Sequence, residues 1–281
     1  MKLCRIGPPG AEKPALVDRE GRLRDLSGVV AEIDRAALSR EGLAALAAIS
    51  EESLPLVDGA PRFGVPVANP SKFICIGLNY SEHAAEGGLP IPSEPIIFLK
   101  ANSAVCGPND DIMQPLNSTK LDWEIELGVV IGETARNVPT DTALDHVAGY
   151  CIVNDVSERA FQMQSSQWDK GKGCDTFGPT GPWLVTKDEI ADPQSLAMKL
   201  TVNGRTMQDG NTRTMIFDVK TIVSYVSRYM TLRPGDIIAT GTPSGVGLGK
   251  KPEPIWLKPG DVLELSIGGL GRQRQAVIPY R

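Results

Sequence analysis

Along residues 121–131 the side chains alternate. Trp123, Ile125 and Leu127 are apolar, Asp122, Glu124 and Glu126 are acidic, and the run closes on Gly-Val-Val-Ile. A period of two predicts a half-buried β-strand with its apolar face inward. Short strands are also predicted at 2–6, 13–17, 73–77, 94–100, 149–153, 183–186 and 200–203, where apolar or β-branched residues are bounded by Gly, Pro, Asn or Asp. Asn203-Gly204 is a strong hairpin signal. Two near-copies of one turn, Arg233-Pro-Gly-Asp236 and Lys258-Pro-Gly-Asp261, predict type II turns that launch strands. The helical period is clearest over 219–229, behind Asp218, and over 36–49, where Leu38, Leu43, Leu46 and Ile49 recur. Residues 79–86 read as one or two helical turns stopped by Gly87-Gly88 and Pro90, and a further helix follows the strand that ends at Asn154-Asp155.

A Pro-punctuated stretch, Val65-Pro-Val-Ala-Asn-Pro70, divides the chain into a small leading α+β domain over 1–68 and a larger one over 69–281. With 281 residues and 41% hydrophobic content, the chain can bury a substantial core. Net charge is −5, with no basic run or aromatic-plus-basic stripe, which disfavours nucleic acid as a partner. The amino terminus lacks an apolar h-region and no run approaches membrane-spanning length, so no membrane partner is expected. Five scattered cysteines without a Cys-x-x-Cys suit a reducing compartment. A cytoplasmic protein is the expectation.

The alternation places Glu124 and Glu126 on one face, roughly 7 Å apart at about 3.3 Å per residue. Two carboxylates that close resist ionising together unless positive charge lies between them. A divalent cation with oxygen ligands answers that need; a solvated polar face is the alternative. His83 and Glu86, three apart on a predicted helix, can hydrogen-bond, and a carboxylate-oriented imidazole is a good general base for activating water. Gly87-Gly88 and Pro90 bracket that helix in the manner of a lid that orders over a ligand. Asp155, at a strand end, is placed either as a third ligand or as the cap of the next helix. Arg159 and Gln162 share its helical face, and an Arg there could fork onto a carboxylate or pair at the surface with Glu158 or Asp169. Gly171 and Gly173 flank Lys172 and permit close backbone approach to a ligand. The Thr240–Gly247 stretch is only superficially like a phosphate loop, since no Gly-Lys-Ser/Thr ending follows. Its amides and hydroxyls could touch a carboxylate.

Five motifs in order resemble the fumarylacetoacetate hydrolase family. They are Gly77-x-Asn79-Tyr80-x-x-His83-x-x-Glu86, Glu124-x-Glu126-Leu-Gly, Asn154-Asp155-Val-Ser-Glu-Arg159, Gly171-Lys172 with Phe177-Gly-Pro179, and Thr240-Gly-Thr242-Pro-Ser-Gly-Val-Gly247. The resemblance covers residue 73 to the carboxyl terminus. It implies an α+β, mostly β fold with a mixed β-sandwich roll, and a homodimer. It further implies Mg²⁺ or Mn²⁺ (with Ca²⁺ a candidate in crystals) on Glu124, Glu126 and Asp155, a His83/Glu86 base of the acylpyruvase branch, and an active-site Lys172. Asn79, Tyr80, Arg159, Gln162, Gly241 and Thr242 correspond to substrate contacts. The implied reaction is metal-dependent hydrolysis of a C–C bond in a 2,4-dioxo acid, giving pyruvate and a carboxylic acid. The opening Met-Lys-Leu-Cys-Arg-Ile-Gly-Pro and Arg24-Asp-Leu-Ser27 resemble members acting on 2,4-diketo-3-deoxy-L-fuconate. A lyase, decarboxylase or isomerase of the same fold would share the metal and differ at His83. A non-catalytic sugar-acid binding protein would need no base. An iron oxygenase is disfavoured because His146, the other histidine, has no matching motif.

Overall fold

In the computed structural model, which describes residues 1–281, a ten-stranded sheet crosses the molecule. Its order is Leu23–Asp25, Lys13–Val17, Lys2–Ile6, Gly178–Thr186, Val147–Asn154, Ile125–Ile131, Ile237–Ala239, Phe73–Gly77 and Ile96–Lys100, with Val105–Cys106 beside Gly178–Thr186. Most pairs are antiparallel; Ile237–Ala239 runs parallel to Phe73–Gly77. A second sheet of five strands stacks against one face in the order Arg205–Asn211, Ala197–Val202, Val262–Ile267, Gly271–Ile278, Ile112–Met113. With short helices around them, the two sheets make the α+β, mostly β architecture.

The large sheet has a core on each face. Ile125, Leu127, Val129 and Ile131 point into a cluster shared with Leu200, Leu263, Leu265 and the Val219–Tyr229 helix. Val130, with Phe73, Cys75 and Ile237, points the other way into a cluster closed by Leu26, Ile33, Leu38 and Leu46. This corrects the half-buried strand: Ile125–Ile131 is buried at every position. It is also shorter than its alternation, because pairing breaks at Trp123 and Glu124, and Leu121–Asp122 pairs separately with Ser157–Glu158.

The first 68 residues are continuous with this sheet. Leu3 lies opposite both Leu16 and Leu184, and the second core draws half its 18 buried residues from each side of residue 68. The division there separates the chain by sequence, not by packing. The helix expected over 36–49 is two helices, Arg35–Leu38 and Arg40–Ala47. Ser39 sits between them in extended backbone, and its hydroxyl accepts from Gly42 N–H at 3.1 Å to cap the second. The 219–229 helix and the Asn203-Gly204 hairpin stand as predicted, and the Asp218 side chain caps the helix. No helix is long and apolar enough to cross a membrane.

Candidate active site

Strand register assembles the acids. Val147–Asn154 pairs with Ile125–Ile131 so that Val153 opposes Glu126 and Asn154 opposes Ile125. One step further, Asp155 N–H donates to Glu124 O at 2.9 Å. Two strands thus deliver Glu124, Glu126 and Asp155 to one place, with carboxylate oxygens within 4.8 Å of one another. All three are buried, and all three line a cavity of about 310 Å³.

Basic side chains meet these acids from three elements. Lys172 Nζ donates to Glu124 Oε2 at 2.6 Å and to Asp155 Oδ2 at 2.7 Å. Lys100, from the end of Ile96–Lys100, donates to Asp155 Oδ1 at 2.5 Å and to Val156 O at 3.0 Å. Arg159 donates through Nη2 to Glu124 Oε1 at 2.6 Å, through Nε to Asp122 Oδ2 at 2.8 Å and through Nη1 to Gln162 Oε1 at 3.0 Å. Burial opposes ionisation of Glu124, but Lys172 and Arg159 outweigh it and hold its carboxyl well below the usual range. Glu126 goes the other way. Burial, then the like charges of Asp155 and Glu124, push its pKa well above the ordinary value. Its Oε2 accepts from Gly241 N–H at 2.8 Å, and Oε1 accepts no protein hydrogen bond.

A divalent cation fits these residues. With all four carboxylates ionised, counting Asp122, the three basic side chains leave one negative charge unmatched, and a cation beside Glu126 would relieve the repulsion that raises its pKa. The donors toward the cavity are all oxygen, the chemistry of hard ions. Lys172 uses two of its three N–H donors and Arg159 three of its five, which leaves both able to bind an anionic group.

The Ser81–Glu86 helix contributes His83 to the same cavity. His83 Nδ1 lies 2.8 Å from Glu86 Oε1, the contact expected of positions three apart. Glu86 is held in turn by Gly245 N–H, at 2.9 Å to Oε2 and 3.1 Å to Oε1. The helix expected to act as a lid is therefore tied to the 240–249 loop. A carboxylate there assigns the proton to Nδ1 and leaves Nε2 as the free base. The remaining wall is apolar, with Leu89, Phe98, Met163, Trp168 and Leu248.

Of the residues singled out in the sequence, His83, Glu124, Glu126, Asp155, Arg159, Gln162, Lys172 and Thr242 line the one cavity. Asn79 and Tyr80 do not. Asn79 is buried, donating to Thr240 O and Phe217 O and accepting from Phe217 N–H. Tyr80 is a core residue whose hydroxyl reaches Met198 Sδ at 3.3 Å. Both fasten the segment that carries His83. Gly241 meets Glu126 rather than the cavity. The Thr242 hydroxyl is already committed, donating to Ile125 O and accepting from Gln208 Nε2, each at 2.8 Å. Asp155 caps no helix; the side chain of Glu158 takes that place. Arg159 pairs with neither Glu158 nor Asp169. Lys172 is in a short helix, Asp169–Lys172. The closeness that Gly171 permits is to a helix, not a ligand, since a Cβ there would lie 2.5 Å from Gln162 Cβ. Lys100 and Asp122 had drawn no role from the sequence.

Comparison with known proteins agrees with this fold. The family described as fumarylacetoacetate (FAA) hydrolase, C-terminal, matches residues 72–278. A 2,4-didehydro-3-deoxy-L-rhamnonate hydrolase from Sphingomonas sp. (strain SKA58) is 59% identical, over 100% of this chain and 97% of its own. Among solved structures, a fumarylacetoacetate hydrolase from psychrophilic Exiguobacterium antarcticum superposes with a TM-score of 0.89 at 36% identity, covering 100% of both chains. A maleylpyruvate hydrolase from Sphingobium sp. SYK-6, solved in complex with manganese(II) and pyruvate, gives 0.83 at 29% identity, again over 100% of both.

Proposed function

This chain belongs to the fumarylacetoacetate hydrolase family, and from that premise we propose that it hydrolyses the C3–C4 bond of a 2,4-dioxo-3-deoxy sugar acid, with pyruvate as one product. The observation that carries the reading is the meeting in one cavity of a carboxylate-oriented histidine, a three-carboxylate cluster and a buried lysine. The Sphingomonas relative's substrate is an acid of this class. Its carbon chain ends in a methyl group, and the apolar wall from Leu89 to Leu248 suits such an end.

Glu124, Glu126 and Asp155 would hold a divalent cation, Mg²⁺ or Mn²⁺ by donor type, which when bound supplies Lewis-acid polarisation of the dioxo-acid oxygens. The remaining work falls to the chain's own side chains. Arg159 and the Gln162 amide orient the carboxylate end through their unused N–H donors. His83 Nε2 takes a proton from water while Glu86 holds the ring and steadies its positive charge. The hydroxide so formed adds to the C4 carbonyl, and collapse of the adduct breaks C3–C4 with its electron pair left on C3. The third N–H of Lys172 is directed to the developing enolate oxygen, a donor set in place before charge appears. The proton held by His83 passes to C3 to complete pyruvate and restore the base, and C4 leaves as a carboxylate, its acid proton lost to solvent.

Purified protein given Mg²⁺ and a 2,4-dioxo acid should release pyruvate, and EDTA should abolish that release until Mg²⁺ or Mn²⁺ is restored. His83→Ala should lower kcat by about 10²–10⁴-fold with KM little changed. Hydrolysis at the wild-type rate in the variant would remove His83 from the base role. Disappearance of the dioxo acid without pyruvate would point to an isomerase or decarboxylase.

A further inference from the structure

In the loop that carries Thr240 to Gly249, four backbone amides are taken by the chain's own acids. Gly241 N–H meets Glu126 and Gly245 N–H meets Glu86. Gly247 N–H donates to Asp122 Oδ1 at 2.6 Å and Leu248 N–H to Asp122 Oδ2 at 3.0 Å. Asp122 does not line the cavity and is wholly buried. It accepts two more bonds, from Trp123 N–H at 2.8 Å and Arg159 Nε at 2.8 Å, so all four of its acceptor sites are used. The neighbouring indole grips the same loop, Trp123 Nε1 donating to Gly245 O at 3.2 Å. Residues 245–248 are thus held at three points by Asp122 and Trp123, and the first of those residues is the one that holds Glu86.

We propose that Asp122 is a positioning residue that locks Arg159 and the 245–248 loop into one frame, and through Gly245 sets the Glu86–His83 pair. Two groups with different tasks, one orienting the carboxylate end and one activating water, are thereby fixed relative to each other by one buried carboxylate. Asp122 touches neither substrate nor reacting atoms. It acts only through Arg159 and the loop, and it has no direct contact with Glu86 or His83. The assignment rests on the reading of His83 as the base, but its geometry can be tested without turnover.

Asp122→Asn keeps the size of the side chain and removes its charge and one acceptor. Displacing a base by a fraction of an ångström to 1 Å can cost about 10²-fold in rate, and that is the loss in kcat expected, alongside a rise in KM from the loosened Arg159. In a double-mutant cycle with Glu86→Gln, the second substitution should add little to the first, because both act on the same imidazole. The chain has only two histidines, so ring-nitrogen NMR signals of His83 can be followed in the resting protein against His146. In Asp122→Asn they should shift away from the Nδ1-protonated form while those of His146 stay in place. Should Asp122→Asn fail to fold, Trp123→Phe, which deletes the indole donor to Gly245, should produce a smaller shift of the same kind. Independent, multiplicative effects on kcat with unmoved His83 signals would overturn the proposal, and so would unmoved signals in Trp123→Phe. No pyruvate from the wild type, together with the His83 shift in Asp122→Asn, would refute the reaction and leave the positioning role standing.

Discussion

Lys100 shows how a residue can be invisible in sequence and central in space. It closes an apolar strand, a position where a lysine ordinarily marks the exit to solvent, and its partner Asp155 is 55 residues away. Its side chain and that of Asp155 are both 0% exposed. Removing one member of a buried pair leaves an uncompensated charge and typically costs about 3–5 kcal/mol. Lys100→Met should destabilise the metal-free protein by an amount near the lower end of that range, because Lys172 still reaches Asp155, as measured by urea unfolding. A midpoint unchanged from wild type would show that the ammonium is not needed. Asp122 was hidden for a related reason: the alternation explained it as one more polar-face residue. His83 with Glu86, and Glu124 with Glu126, were legible because each pair is local and set by helix or strand period alone.

Elements were legible where one face meets water and obscure where neither does. The Val219–Tyr229 helix announces itself by its period and cap. The Ile125–Ile131 strand looked half-buried because its acid read as solvated, whereas Glu126 turns into the charged cavity. The turn joining Lys13–Val17 to Leu23–Asp25 offers a cleaner electrostatic test, far from the cavity. Burial would raise the pKa of Asp18, but hydrogen bonds from Arg24 and Arg22, with Arg22's charge, outweigh it and hold the carboxyl well below the usual range. A depressed carboxylate contributes stability that is complete above its unfolded pKa of about 3.9 and is lost as pH falls toward the native value. Asp18→Asn should therefore lower Tm by a constant margin at neutral pH, and the margin should shrink as pH drops below about 4. A margin that does not change between pH 7 and pH 3 would show that the charge of Asp18 is immaterial.

At the scale of the molecule, the motifs pointed to the family and its mostly β fold, and the break near residue 68 lies just before the family match begins at residue 72, although the second core packs across it. Proline and polarity mark a break in regular structure and say nothing about what packs across it. Because Leu3, Leu16, Leu26, Ile33, Leu38 and Leu46 close the second core, a chain beginning at residue 69 should expose that face of the sheet. It should be recovered as aggregate or without a cooperative unfolding transition. A soluble, cooperatively unfolding fragment with an intact cation site would restore the independent domain.

The strand order also constrains how the molecule comes into being on the ribosome. Phe73–Gly77 and Ile96–Lys100 join the rest of the large sheet only through Ile237–Ala239. That three-residue strand is synthesised more than 130 positions after Lys100, and pairings so distant in sequence form slowly. Until it emerges, the edge of Phe73–Gly77 that faces away from Ile96–Lys100 has no strand to pair with, and the nascent chain carries an unfinished sheet of the kind that chaperones recognise. The cavity, walled from both halves, is therefore among the last features to exist, and no partly made chain can hold a competent site.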